Sequence, residues 1–315
     1  MSPAPAVVVE KLTRRFGAVR AVDAVSFEVR TGELYGLVGP DGAGKTTLLR
    51  MLAGVLKPTD GDARVFGDSV ARAPEAVKHD IAYMPQRFGL YADLTVSENL
   101  AFYADLYSVP TRERPARLER LFQFSNLGPF RDRLAGKLSG GMKQKLALSC
   151  ALIHQPKLLL LDEPTFGVDP ISRRDLWLIV HEMVEQGVTA IVSTAYMDEA
   201  ERFDRVALLH QGTVLAIDAP AQLQQTMPGT VLVVETDSPR AARDALLGNP
   251  LARRVVLFGD AVHVTVASPN DAVELARALQ AAGVPARRVA PVEASFEDVF
   301  IARLADRDGA VGIPA

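Results

Sequence analysis

The sequence predicts an α/β fold: a mostly parallel sheet covered by helices on both faces, with a helical insert, followed by a second and smaller α+β domain. Three observations predict it. The short apolar runs ELYGLVG, DIAYMP, KLLLLDEP and GVTAIVST are separated by helical patterns and read as strands buried on both faces; strands alternating with helices in this way imply a parallel sheet. Ahead of them, AVVVEKLTRRFG and AVDAVSFEVRTGE alternate in character, as paired strands of an antiparallel edge sheet joined by a short turn. Near residue 220 the composition changes and a new succession of elements begins.

Between DIAYMP and KLLLLDEP, the segments ENLAFYADLY, RPARLERLFQF and GGMKQKLALSCALI read as helices and place a helical subdomain at about residues 88–152. In RRDLWLIVHEMVEQG, Leu176, Ile179, Val180, Met183 and Val184 follow helical spacing, and Gly187 ends the helix. From Gly229 the order is strand (TVLVVET), helix (after Ser238 and Pro239), strand (RRVVLFG), strand (AVHVTVA), helix (DAVELARALQAAG) and strand (ARRVAPV). This order matches a ferredoxin-like unit. Ser268, Pro269 and Asp271 supply a cap, a first-turn proline and an acid for its second helix. The expected domains are residues 1–222 and 229–305, the second ending in the helical run SFEDVFIARL, with a disordered tail over 306–315.

The chain has 315 residues, 48% of them hydrophobic, enough for about two domains with full cores. Its 35 basic and 38 acidic residues nearly cancel, so charge balance does not point to nucleic acid or an anionic membrane surface as main partner. Cys150 is the only cysteine, which excludes an internal disulfide and reads as a small buried hydrophobe in LALSCALI. No apolar run approaches the roughly 18 residues of a membrane span, and MSPAPAVVVEKL lacks the character of a secretory signal. The expectation is a cytoplasmic protein that reaches a membrane only through other subunits.

GPDGAGKT, residues 39–46, follows the strand ELYGLV and opens the helical run TLLRMLAG. That context identifies a phosphate loop of the P-loop NTPase kind. Gly39, Gly42 and Gly44 let backbone N–H groups converge on phosphate oxygens, with Asp41, Ala43 and Thr47 alongside. Lys45 reaches the terminal phosphates of ATP, and the Thr46 hydroxyl is a ligand for Mg²⁺. In LLLLDEP, Asp162 and Glu163 emerge at the carboxyl end of a buried strand, where parallel sheets bind ligands. Asp162 is the second candidate for Mg²⁺, and Glu163 is placed to orient or deprotonate an attacking water.

LSGGMKQK, residues 138–145, puts Ser139, Gly140 and Gly141 before a helix whose apolar face begins at Met142, Leu146 and Ile153. It reads as an ordinary helix cap or as a second anion-ready helix N-terminus. One triphosphate does not need two such devices from one subunit. If both serve one nucleotide, two subunits face each other and each lends this loop to its partner.

Together and in this order, GPDGAGKT, YMPQ, LSGGMKQ, LLLLDEP and GVDP resemble the ATP-binding-cassette (ABC) ATPases over residues 5–220. The resemblance implies two cassettes closing head to tail over two ATP molecules and driving membrane-embedded partners. It implies that Gln86 of YMPQ senses the γ-phosphate and Mg²⁺, that Asp169 lies at the dimer seam, and that Phe16 of RRFG stacks on adenine. Asp41 replaces a more usual asparagine, a change read as tolerated. The C-terminal unit and its FEDVFI ending resemble ATPase subunits of ABC-2 exporters of the drug-resistance type. RFGLYADLTVSENL and DPISRR are similar to the first half of tandem ATPases in Gram-negative multidrug exporters that work with a periplasmic adaptor protein. The expectation is one such half without a second cassette.

IVSTAYMDEAE departs from the family pattern. There, the position of Ala195 carries a histidine that contacts the γ-phosphate and aligns the catalytic water with Glu163. His79, His154, His181, His210 and His263 all lie too far along the chain to replace it. The resulting expectation is an asymmetric pair with a second ATPase, a heterodimer in preference to a homodimer. In it, the site using Lys45 turns over slowly while Ser139 and Gly141 complete a fast site on the partner. A homodimer in which Ala195 is simply tolerated, a non-hydrolysing regulator and a soluble non-transport ABC ATPase are the alternatives. The segment RFGLYADLT, with Phe88 and Tyr91 expected at the surface, is the candidate for docking ABC-2-type permease subunits; local packing under the helical insert is the other reading of those two aromatics.

Overall fold

The computed structural model describes residues 4–308, and its contacts divide the chain into two units, Met1–Ile217 and Asp218–Ala315. The first is built on a six-stranded sheet in the order Thr213–Asp218, Arg205–His210, Leu34–Val38, Thr189–Thr194, Leu158–Asp162 and Ile81–Met84. The four apolar runs singled out in the sequence form its parallel core. Every residue of Leu34–Val38, Leu158–Asp162 and Thr189–Thr194 is buried, as strands covered on both faces require. The register sets Val38 beside Thr194 and Asp162 beside Ser193, so three strand ends converge on one rim.

The N-terminal strands Pro5–Phe16 and Val19–Arg30 pair antiparallel and are joined in a second sheet by Asp60–Val65 and Asp68–Ser69. Phe16 pairs with Val19 at the hairpin end, which leaves its ring 48% exposed. Val7, Leu12 and Phe27 of this sheet share one core with Leu37, Leu48 and Ile191, and Phe27 stacks on Tyr35 at 5.3 Å.

The helical insert comprises Val96–Leu106, Arg114–Ser125 and Gly140–Leu152. Thr95 and Glu98 close a capping box at the first of these. Phe88 is half-buried with its ring 5.1 Å from that of Tyr103, and Tyr91, still exposed, meets Phe102 edge-on at 4.5 Å. Both aromatics therefore pack on the first helix of the insert. Cys150 is fully buried and burial raises its thiol pKa strongly, so it packs as a hydrophobe.

In the second unit the strands lie in the order Arg254–Phe258, Ala261–Val266, Thr230–Glu235 and Arg288–Val292, all antiparallel. Helices Pro239–Leu246 and Asp271–Ala281 cover one face through Ala242, Leu246, Leu275 and Leu279 against Leu232, Val234, Val262 and Val264. This is the predicted ferredoxin-like succession. The helix after Ser268 starts later than its sequence suggests. Asn270 holds the cap position, while the Ser268 N–H donates to Asp271 Oδ2 and its hydroxyl accepts from Asn270 N, forming a turn ahead of the helix. The last helix, Phe296–Asp308, takes in the first three residues of the predicted tail; positions 309–315 lie outside the described residues.

Candidate active site

The strand Leu34–Val38 runs into the glycine loop and then helix Lys45–Leu52. Gly42 and Gly44 take φ of 78° and 101°, which favour glycine. Gly39 is required for a different reason: a Cβ there would lie 2.2 Å from the Leu209 carbonyl oxygen. Gly44 caps the helix without any side-chain hydrogen bond, so its first-turn N–H groups have no capping partner from the chain and suit an anion.

Lys45 is only 4% exposed. Its Nζ donates to the carbonyls of Gly39 (2.7 Å) and Pro40 (3.1 Å) and pairs with Glu163 Oε1 at 3.1 Å. The other oxygen of Glu163 accepts from Gln86 Nε2 at 2.9 Å. Glu163 itself sits at φ 49°, a left-handed conformation that costs a non-glycine residue on the order of 1 kcal/mol. Its N–H is fixed by the Ser193 hydroxyl at 3.0 Å.

Asp162 Oδ1 accepts from Thr46 Oγ1 (2.9 Å) and Ser193 Oγ (2.8 Å). Burial, and then the Asp162 charge, raise the pKa of Tyr83, whose hydroxyl stays a donor to Asp162 Oδ2 at 3.4 Å. The Thr46 hydroxyl meets the Asp162 carboxylate at 2.9 Å and Gln86 lines the same cavity as Thr46; all three carry hard oxygens of the kind Mg²⁺ takes. Among the described residues there is no group of three or more His, Cys, Asp or Glu that could hold a metal ion.

These groups open into a cavity of about 490 Å³. Phe16 stands on one side and Asp41, Gly42, Ala43 and Gly44 form the loop wall, with Lys45, Thr46, Thr47, Gln86 and Glu163 completing it. Asp162 lies behind Thr46. One face of Phe16 is covered by the Arg14 guanidinium, 4.6 Å from the ring centre, and Arg14 is held by the Lys57 carbonyl.

Ser139, Gly140, Gly141 and Asp169 are not among the cavity's lining residues. Ser139 caps helix Gly140–Leu152 through the N–H of Met142. Asp169 caps helix Pro170–Glu185 through the N–H of Ser172, and the hydrogen bonds from Ser172 hold its carboxyl below the usual aspartate range. A Cβ on Gly141 would lie 2.1 Å from Ser172 Oγ and 3.2 Å from Asp169 Oδ2, so the two caps are in close contact.

Sequence reasoning missed Ser193, Tyr83, Arg14 and Phe166. Phe166 lines the cavity and is 55% exposed; its signal was an aromatic residue within the turn EPTFGVDP.

A family model described as ABC transporter matches residues 22–166. Over 305 residues the chain is 33% identical to the daunorubicin/doxorubicin resistance ATP-binding protein DrrA of Streptomyces peucetius, covering 95% of this chain and 92% of DrrA. The chain belongs to the ABC-transporter ATP-binding cassettes. The cassette is also 44% identical over 302 residues to the probable multidrug ABC transporter ATP-binding protein YbhF of Escherichia coli K12. That match covers 94% of this chain but 51% of YbhF, so the chain spans about half that relative's length. Among solved structures, an ATP-binding subunit of an ABC transporter aligns at TM-score 0.64 and 31% identity, over 70% of this chain and 92% of that one. The cassette thus carries the P-loop fold of ATP-hydrolysing ABC subunits. No helix among its described residues is long and apolar enough to cross a membrane.

Proposed function

We propose that this cassette is the ATP-hydrolysing subunit of an exporter, acting at the inner face of the plasma membrane beside a second cassette and ABC-2-type permease subunits. The observation that carries the reading is the chain of contacts from Gln86 through Glu163 to Lys45 at the wall of the cavity. The loop N–H groups and Lys45 take the phosphates of ATP, while Phe16 offers its uncovered face to adenine. Thr46, Asp162 and Gln86 would hold Mg²⁺, which would supply neutralisation of the phosphate charge. Glu163 orients the attacking water and accepts its proton, and Gln86 holds that carboxylate in place.

Ser139, Gly140, Gly141 and Asp169 stand apart from the cavity, which supports a role for them against a partner's nucleotide. Residues 1–222 handle nucleotide in this reading, and 229–305 serve an accessory role, propping the ATPases together. A groove of about 340 Å³, lined by Gln86, Arg87, Phe88 and Leu90 on one side and Lys143 and Gln144 on the other, supports permease docking next to Gln86. The similarity to YbhF and DrrA, both named for drug transport or resistance, and to Nod factor export ATP-binding protein I of Burkholderia orbicola, 34% identical over 310 residues, supports small molecules as cargo. A periplasmic adaptor would complete the assembly in a Gram-negative envelope.

Ala195 makes the pair asymmetric. Losing one preorganised donor to the transition state is worth about 3 kcal/mol, roughly a hundredfold in rate. Steady-state hydrolysis by the full chain, with Glu163→Gln as background, tests this. The expected result is a rate near that background with MgATP still bound, rising on the order of a hundredfold in Ala195→His. A clear rate in the unaltered chain that vanishes in Glu163→Gln would sink the slow-site reading. Failure to bind MgATP would sink the proposal as a whole.

A further inference from the structure

Glu199 is a carboxylate with 0% exposure, outside the nucleotide cavity and unassigned by anything above. A buried charge persists only with donors, and Glu199 has three. Its Oε2 accepts from the Thr194 hydroxyl at 2.6 Å, and its Oε1 accepts from Arg173 Nε at 2.7 Å and Trp177 Nε1 at 3.0 Å. These partners come from two separate elements. Thr194 ends the strand Thr189–Thr194, whereas Arg173 and Trp177 belong to helix Pro170–Glu185.

Each end of this connection leads to a different part of the machinery. On the strand side, the Thr194 carbonyl accepts from Gly39 N at 3.2 Å, at the start of the phosphate loop. The preceding residue, Ser193, holds both Asp162 and the Glu163 N–H. On the helix side, Arg173 lies in the turn capped by Asp169, whose Ser172 abuts Gly141. A second path closes the circuit around Ala195: Tyr196 N donates to Thr194 Oγ1 at 3.0 Å, and the Arg173 guanidinium lies 4.6 Å from the centre of the Tyr196 ring. Arg173 also contacts both carboxylate oxygens of Asp198. Ala195 therefore sits at the apex of a clamp rather than on a free loop.

We propose that Glu199 is a positioning residue that couples the phosphate-binding end of the sheet to the helix turn at 169–173, so that nucleotide occupancy is transmitted to Asp169 and Gly141. The warrant is topological as well as chemical. Glu199 joins the two elements through one rigid carboxylate: Thr194 follows Ser193, which holds Asp162 and the Glu163 N–H; Arg173 follows Ser172, which abuts Gly141; and Trp177 anchors the carboxylate one turn further along the helix. Such a link changes how one region responds to a ligand in the other without touching that ligand. The inference rests on the cavity being the ATP site.

Amide hydrogen exchange of the full chain, with and without MgATP, tests it. In the unaltered chain MgATP slows exchange at least threefold both in the phosphate loop and at 169–175. In Glu199→Gln the phosphate loop remains protected and the 169–175 response is lost. Thr194→Val, which removes the hydroxyl but keeps the shape, gives the same loss, and Thr194→Ser restores the response. A response at 169–175 that survives in Glu199→Gln overturns the proposal, as does its absence from the unaltered chain with the loop protected. If Glu199→Gln does not fold, the Thr194 pair decides by the same criterion. Absence of protection at the phosphate loop in the unaltered chain instead counts against the ATP site itself.

Discussion

Two helices of the cassette have glycines at their N-terminal ends, and they begin differently. Helix Lys45–Leu52 starts at Gly44 with no side chain on its first-turn amides, in the wall of a cavity that also holds a buried lysine. Helix Gly140–Leu152 starts at Ser139, whose hydroxyl already occupies the Met142 N–H, and its turn packs on another capped helix. The first end is left open to an anion entering the cavity of its own chain. The second is already capped by its own chain and packed against the turn at Ser172.

The sharpest way to break this comparison is Lys45→Ala. Removing the cation takes away its contact to phosphate and strips Glu163 of its ion-pair partner, and MgATP affinity is expected to fall by about 3 kcal/mol, on the order of a hundredfold. Titration of the purified chain with nucleotide checks this. Gly141→Ala should do the opposite kind of damage. Its methyl group collides with Ser172, with local strain of about 1–3 kcal/mol, so turnover by paired cassettes falls while MgATP affinity of the single chain is unchanged. Equal loss of both would erase the distinction between the two helix ends.

Ser139→Ala is the milder version, costing about 1 kcal/mol of helix stability through the lost cap. Denaturant melting should register it with nucleotide affinity unaltered. The smallest effect concerns pH. Hydrogen bonds from Ser172 depress the Asp169 pKa, so its contribution is complete above the unfolded value of about 3.9 and is lost only as pH falls through the lower folded value. Asp169→Asn should therefore change paired turnover by the same factor at every pH between about 6 and 9; a change in the shape of that profile would contradict the assignment.

Much of this site could be read in the sequence because its chemistry is local. The spacing within GPDGAGKT and the position of Asp162 and Glu163 at a strand end fix both type and place. Ser193 was harder to see: it matters only because parallel register sets it beside Asp162, a fact about pairing across the sheet. Arg14 and Phe16 share a strand, yet their stacking depends on how Lys57 anchors the guanidinium. The late start at Asn270 shows a limit of another sort, since a Ser-Pro-Asn-Asp run serves a turn and a helix start equally well.

Trp177 is the only tryptophan in the chain, is 1% exposed, and donates its indole N–H to Glu199. Its emission comes from one buried environment, with the Phe203 ring 5.5 Å away. The cassette thus carries an unmodified optical reporter on the segment that follows its nucleotide site. Any rearrangement of that carboxylate during a catalytic cycle has a single fluorophore through which it can be watched, without a label attached.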